Sequence, residues 1–222
     1  MAQMSAGQPA GISPAEEEAL FYHETTLNAA WTGSRLALGA LSFGFGAFVF
    51  AYFYLRSLNS HGMWHPVGFK GPQPWAGAVI MGLIVLSAAL QTLVLQRIKA
   101  GHKATWLAGA VIAIILGLGA IGLQVWQLLN LPFFPGSAGY ASVFTGATPV
   151  FVLVVFCAMI WLEILIAKAR RIPAISFVEQ PPTYAEAFRV QRFQASLSSF
   201  TLVWNYLAVI AVLFWVLFYL AA

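Results

Sequence analysis

The sequence predicts an all-α membrane protein that crosses the bilayer about five times. Hydrophobic residues make up 60% of its 222 residues, charged residues only 8%, and the mean hydropathy is +0.81. A soluble domain carries about 25% charged residues, and no soluble fold of this length could bury so much apolar surface. A membrane-spanning helix needs about 20 mostly apolar residues, and five runs in the chain reach that length.

The first run covers residues 36–55, where Gly39, Gly44 and Gly46 predict close approach by a neighbouring helix. Residues 1–34 have neither the basic start nor the apolar stretch of a cleavable signal peptide. We therefore expect a cytoplasmic tail with an interfacial helix over residues 1–34. A single transmembrane domain is expected over residues 35–222.

The other four runs cover residues 75–95, 104–128, 144–167 and 199–220. A short basic turn joins the second and third runs, which predicts an antiparallel hairpin. Pro149 lies near the start of the fourth run, where a missing N–H group is best tolerated. A long amphipathic loop over residues 168–198 is expected before the last run.

The basic residues predict an orientation. In a five-span arrangement nine of the 11 fall on one side, and only Arg56 and Lys70 fall on the other. Basic loops stay preferentially in the cytoplasm, which predicts a cytoplasmic N-terminus and a C-terminus outside. The net charge of +4 is therefore explained by basic residues that set the orientation in the membrane and face anionic lipid. We expect no nucleic acid as a partner.

Few side chains could ligate a metal or cofactor. His61 and His65 have the i,i+4 spacing of two metal ligands on one helix face, but Gly62 and Pro66 disfavour a helix there. Hydrogen bonding by an interfacial loop is therefore the preferred interpretation of this pair. None of the four histidines lies mid-span, where haem or copper would need ligands. We expect neither cofactor nor metal on this chain.

Glu163 is the only acid inside an apolar run. An ionisable side chain is expensive in lipid, so such a residue is a functional candidate by default. Because it lies close to the basic residues of positions 168–171, a snorkelling or paired structural carboxylate is at least as good an interpretation.

Two sets of residues are expected to serve structure. Hydrogen bonds between helices are expected from Ser87, Gln91, Thr92, Gln124, Gln127, Thr145, Thr148 and Asn205. Positions at the membrane interface are expected for most of Trp31, Tyr52, Tyr54, Trp64, Trp75, Trp106, Trp126 and Trp161. The familiar enzyme motifs, such as a phosphate-binding glycine loop or a nucleophile elbow, do not occur.

Several stretches are similar to cytochrome c oxidase subunit III. The segment GAFVFAYFYLR, residues 46–56, resembles the first core helix of that family, and the loop with Trp64 and Pro66, followed by residues 72–75, resembles the next segment. The next three segments come in the same order as in that family: the helix VLSAALQTLVLQRI, the basic turn KAGHK and the helix end GLQVWQL. GSAGYASVFTGATPVFVLVVFCAMIW resembles the lead into the fourth core helix, and SSFTLVWNYLAVIAVLFWVLFYL the closing helix. The resemblance extends over about residues 35–220.

The chain departs from that family at titratable positions. The first core helix has no glutamate around Ser42, and the third has Gln127 in place of one. Pro149 and its neighbours replace the paired histidines of the fourth helix, and the last helix lacks an acid around Asn205. The resemblance therefore carries over no acidic or histidine side chain at these positions.

The resemblance implies a cofactor-free subunit III of a haem-copper oxidase, a multi-pass protein of the inner (plasma) membrane. Such a chain would stabilise the catalytic subunit and bind phospholipid, while haem, copper and electron transfer to oxygen would belong to partner subunits I and II. Alternatives are a companion of a nitric oxide reductase and a stand-alone transporter of a small solute. Lipid or subunit contacts are expected at Arg35, Arg56, Trp64 and Trp75, because of their interfacial positions.

Overall fold

Five long helices form most of the part of the chain that the computed structural model describes, residues 14–58, 62–178 and 184–221. They are α1 (Pro14–Ser57), α2 (Pro74–Lys99), α3 (Lys103–Leu129), α4 (Gly139–Arg170) and α5 (Tyr184–Trp215). A 3-10 turn, Ile175–Phe177, lies between α4 and α5, and α5 continues into a π-helical turn, Val216–Leu220. All five helices are long and apolar enough to cross a membrane, as the sequence predicts.

Three helices begin earlier than the apolar runs predict. α1 begins at Pro14, α4 at Gly139 and α5 at Tyr184. The 44 residues of α1 span about 66 Å at 1.5 Å per residue, about twice the thickness of the hydrocarbon core. α1 has no break between residues 34 and 35, where the tail was expected to end. The predicted loop over residues 168–198 is wrong for residues 168–170, which end α4, and for residues 184–198, which begin α5, because hydropathy does not detect the polar turns of a helix.

Pro149 lies deeper in its helix than the sequence predicts. It comes ten residues after Gly139, yet α4 continues to Arg170. Proline has no N–H group, so the carbonyl four residues earlier, that of Thr145, loses its usual helical donor.

α2 and α3 form the predicted antiparallel hairpin. Its turn is closed by the N–H group of His102, which donates to the carbonyl of Arg97 at 2.9 Å. Gly101 adopts φ +86 there, a conformation that favours glycine. Further along the hairpin, a Cβ at Gly109 would lie 2.3 Å from Cγ1 of Val94, so the two helices approach closely only because this residue is glycine.

The glycines of α1 do not have the predicted neighbour. At Gly39, Gly44 and Gly46, no atom lies within 4 Å of the position that a Cβ would take. No helix of the described part of the chain therefore packs closely against these glycines. α1 is also the least buried span, with 11% of its apolar window inside the bundle against 33–56% for the other four.

Several of the polar side chains expected to join the helices do so, but Gln91 has no hydrogen-bond partner among the described residues. The hydroxyl of Ser87 donates to the carbonyl of Ala113 at 2.9 Å and accepts from Nε1 of Trp204 at 3.2 Å. These contacts link α2 to α3 and α5. Thr92 and Asn205 form a second link, with 3.1 Å between their side chains. By contrast, Thr145 bonds within its own helix.

Candidate functional site

A group of aromatic residues lies at one end of the bundle. Because the helices alternate in direction, the C-terminal ends of α1, α3 and α5 lie beside the N-terminal ends of α2 and α4. We call this group the aromatic cluster; its members are Tyr52, Trp64, His65, Phe69, Phe133, Tyr140, Phe144, Phe218 and Tyr219. The residues come from α1, α4, the π-helical turn after α5 and two loops, so the cluster holds the end of the bundle together.

Tyr140 lies at the centre of the aromatic cluster and is 1% exposed. Its hydroxyl donates to the carbonyl of Phe218 at 2.7 Å, and its ring stacks on Phe144 with 5.9 Å between ring centroids. Phe218 belongs to the π-helical turn, in which the N–H of Ala221 donates to the carbonyl of Val216 at 2.9 Å. A wider turn offsets the carbonyls from the usual helical ladder, and the Tyr140 hydroxyl satisfies one of them.

Gln127 connects three helices beside this cluster. The hydroxyl of Tyr219 donates to its Oε1 at 2.9 Å, and its Nε2 donates to the carbonyl of Gln73 at 3.1 Å. Gln124, one turn earlier on α3, donates to the same Oε1 at 3.0 Å. Gln127 is 2% exposed, so a buried amide that bonds through both its oxygen and its nitrogen joins the start of α2 to the ends of α3 and α5.

Arg56 fastens the end of α5 to α1. Its Nη1 donates to the hydroxyl of Tyr52 at 3.3 Å and to the carbonyl of Ala221. The Tyr52 hydroxyl donates to the same carbonyl at 2.8 Å. The guanidinium carbon also lies 5.9 Å from the centroid of the Tyr52 ring, so the charge is held by an aromatic face and a backbone oxygen.

The loop between α1 and α2 is held against the start of α4. Trp64 is 5% exposed, and its ring centroid lies 4.9 Å from that of Tyr52 in an edge-to-face contact. The carbonyl of Met63 accepts from the N–H of Gly139 at 3.0 Å. These contacts give the loop a fixed place in the bundle.

His65 stacks on the ring of Phe69 with 5.1 Å between ring centroids. Partial burial lowers the pKa of His65 below its usual value, and the positive charge of Arg56 lowers it further. The neutral imidazole is therefore favoured. The predicted partner in a metal pair, His61, lies outside the described residues. Elsewhere in the described ranges no three His, Cys, Asp or Glu side chains come together as metal ligands would.

The remaining predicted site residues lie elsewhere. Trp75 is 55% exposed and lies 5.9 Å from the ring of Trp126 at the ends of α2 and α3. Arg35 is exposed on α1, with its guanidinium 5.1 Å from the centroid of the Trp31 ring. Of the four predicted contact residues, the structure brings only Arg56 and Trp64 together.

Glu163 is exposed in an open groove of about 500 Å³ between α3 and α4, whose end is lined by Arg170. No ion pair to Glu163 occurs among the described residues. The paired-carboxylate interpretation therefore has no partner within that part of the chain.

The aromatic residues predicted at the interface divide into two groups. Tyr52 and Trp106 are 0% exposed and lie inside the bundle with Trp64, whereas Trp31, Tyr54, Trp75 and Trp126 are exposed. The sequence reasoning also missed the roles of Tyr140 and Tyr219. The only available signal was their place inside stretches that carry the family resemblance, since hydropathy alone does not say which face of a helix is buried.

No protein-family model matches this sequence, and no curated protein is significantly similar to it.

Proposed function

We propose that this chain is the non-catalytic third subunit of a haem-copper oxidase, which packs against the catalytic subunit, stabilises it and holds lipid at the contact. One observation carries the proposal. The separate stretches that resemble subunit III contribute to one connected group: residues 46–56 supply Tyr52, the following loop supplies Trp64, and the end of α3 supplies Gln127. The start of α4 supplies Tyr140, and the end of α5 supplies Phe218.

Specific contacts join these stretches. The hydroxyl of Tyr140 at the start of α4 donates to the carbonyl of Phe218 at 2.7 Å, and the ring centroids of Tyr52 and Trp64 lie 4.9 Å apart. The stretches that carry the resemblance thus contribute to one end of the bundle, which supports the proposal.

α1 offers a face for the catalytic subunit. Phe43 is 83% exposed and Phe50 70% exposed, and Gly39 and Gly46, which share their helix face, have open space above them. Small residues let transmembrane helices approach closely where lipid removes the hydrophobic drive between them. A partner helix on this face would cover the least buried span of the bundle.

The role that follows is structural. The redox step, from cytochrome c or quinol to oxygen, belongs to the partner subunits. The bundle would limit local opening of the catalytic subunit, order the lipid beside it and give oxygen an apolar route from the bilayer.

The deciding experiment is purification through a tag on this chain in a mild detergent, followed by an optical spectrum and mass spectrometry of the copurifying proteins. Stoichiometric haem and a large, histidine-rich membrane subunit are expected. A haem-containing partner without copper would instead assign the chain to a nitric oxide reductase. A colourless single polypeptide would overturn the proposal in favour of a transporter.

A matched pair of variants tests the α1 face. Gly46→Leu fills open space on this face of α1, and Gly122→Leu fills open space on α3. We expect Gly46→Leu to reduce the haem that copurifies with the tag and Gly122→Leu to leave it unchanged. Equal retention of haem by both variants would exclude this face of α1 as the contact.

A further inference from the structure

A cleft lined by positive charge lies at the end of the bundle opposite the aromatic cluster. It has a volume of about 750 Å³ and is formed by the N-terminal half of α1, the end of α4 and the start of α5. Four cationic side chains line it, and we call them the basic cleft residues: Lys168, Arg171, Arg189 and Arg192. The volume falls within the range of pockets that hold small ligands, about 300–1,000 Å³.

The walls of this cleft are fixed by contacts within the chain. The hydroxyl of Ser199 on α5 donates to the carbonyl of Ala30 on α1 at 3.1 Å, beside the cleft. Phe193 is 3% exposed, and its ring packs against those of Trp106 and Phe177. The ammonium group of Lys103 donates to the carbonyl of Ile172, another lining residue, which ties the turn after α4 to α3. The opening is therefore held by three helices and a turn.

The charge in the cleft is not neutralised by the described part of the chain. All four basic cleft residues are exposed, and no described carboxylate lines the cleft. The acids nearest along the three helices are Glu24 on α1, Glu163 on α4, which faces a different groove, and Glu186 in the first turn of α5; none of them lines the cleft. Four like charges around one concavity repel each other and raise the local concentration of anions, so a bound anion would relieve this repulsion.

The chemistry of the lining favours a phosphate group. Three of the four cations are arginines, whose planar guanidinium groups match phosphate oxygens in pairs. A cluster of four or more Lys and Arg residues at the end of membrane helices is also typical of anionic lipid binding. Ala29, which is exposed, and Ala30, which is partly exposed, add apolar surface beside the charges, which suits the glycerol and first acyl carbons of a phospholipid.

We propose that the basic cleft residues bind a phosphate-bearing anion between α1, α4 and α5. An anionic phospholipid headgroup and a soluble phosphate compound share this chemistry. The site is separate from the interfacial residues Arg35 and Arg56, and it does not depend on the proposed function, because only contacts within this chain define it.

The test compares binding of two lipids and inorganic phosphate. The full chain is purified in a neutral mild detergent with the proteins that accompany it. Dioleoyl phosphatidylglycerol, dioleoyl phosphatidylcholine or inorganic phosphate is then added, and binding is measured by native mass spectrometry and by thermal shift. The cleft variant is Arg189→Gln/Arg192→Gln. The matched control is Arg97→Gln/Lys99→Gln, which removes the same charge from the turn between α2 and α3, at the same end of the bundle.

A lipid site predicts that the native chain retains phosphatidylglycerol at least about tenfold better than phosphatidylcholine, and that only the cleft variant loses this preference. A site for soluble phosphate predicts saturable binding of inorganic phosphate, again lost only in the cleft variant, without a lipid preference. The proposal is overturned if neither probe is preferred, or if the control variant loses as much binding as the cleft variant. Circular dichroism and gel filtration verify folding, and Lys168→Gln/Arg171→Gln is the second cleft variant if the first misfolds.

Discussion

The ring of Tyr219 lies directly against the backbone of Gly77. A Cβ at Gly77 would be 2.3 Å from Cζ of Tyr219, a distance that real Cβ atoms essentially never show. In the same position the Tyr219 hydroxyl donates to Oε1 of Gln127 at 2.9 Å. Because Gly77 on α2 has no side chain, Tyr219 at the end of α5 can reach Gln127 on α3.

Gly77→Ala is therefore expected to destabilise the bundle. The added methyl group would displace the Tyr219 ring and weaken its hydrogen bond to Gln127. Overpacking of this kind typically costs about 1–3 kcal/mol, which thermal unfolding of the detergent-solubilised chain would measure. Gly82→Ala on the same helix is the control, because a Cβ there meets nothing within 4 Å.

A double-mutant cycle separates this contact from a general effect of the substitution. In a Tyr219→Ala background the ring is absent, so Gly77→Ala should no longer lower stability. Residues in contact show such non-additivity, whereas independent sites add. An equal effect of Gly77→Ala in both backgrounds would show that the tyrosine contact is not the cause.

Gln91→Leu is expected to stabilise the protein. Gln91 is 0% exposed, and neither Nε2 nor Oε1 has a hydrogen-bond partner among the described residues. Replacing a buried unsatisfied amide by an apolar side chain of similar size removes a desolvation penalty of about 1–3 kcal/mol. The measurement is the unfolding temperature in detergent.

The matched control for Gln91→Leu is Gln127→Leu, which is also almost fully buried but has partners on three sides. It should lower the unfolding temperature, because Tyr219 and Gln73 would lose their partner. If both substitutions shift the unfolding temperature in the same direction, the assignment of Gln91 as an unsatisfied amide and of Gln127 as a structural one is contradicted.

Hydropathy predicts only those parts of the fold that must be apolar to lie in a bilayer. Apolar runs long enough to cross a bilayer predict the five helices and the hairpin of α2 and α3. They do not predict that α1 begins at Pro14 or α5 at Tyr184, because the polar turns beyond the bilayer carry no hydropathy signal. Glycine spacing is also a poor guide to packing here. Gly77 and Gly109 contact neighbouring helices, whereas Gly44 does not.

The stability of the chain is expected to fall as the pH drops below the usual pKa of histidine, about 6.5. Burial and the charge of Arg56 lower the pKa of His65 in the folded state. The unfolded chain therefore binds a proton at a higher pH than the folded chain does, and the proton favours unfolding. The stabilising contribution is complete above about pH 6.5 and is lost as the pH falls towards the lower, folded-state pKa.

Unfolding temperatures between about pH 8 and about pH 5 would test this expectation. His65→Gln should flatten the fall at acid pH. His102→Gln, at the opposite end of the bundle, controls for the loss of a loop histidine. If His65→Gln leaves the pH profile unchanged, protonation of this side chain does not govern acid stability.

The candidate sites were only partly predictable for a related reason. Arg56 and Trp64 were expected at the interface from their place beside apolar runs, and both contact Tyr52. The cleft lined by Arg189 and Arg192 was not expected, since its formation requires these residues to lie on a helix beside α1. The distribution of basic residues along the chain predicts that these arginines lie on the same side of the membrane. It does not predict that they line one cleft, because that depends on tertiary packing.

The last prediction concerns the proposed partner. Removing this chain from the complex should leave the initial rate of oxygen reduction nearly unchanged, because we expect no ligand of haem or copper on it. The catalytic subunit should then lose activity several-fold faster during turnover, since its exposed side would open locally more often. Oxygen consumption followed over many turnovers, with and without the chain, measures this lifetime. Equal lifetimes would exclude a stabilising role, and adding back the chain should restore the longer lifetime whereas its Gly46→Leu variant should not.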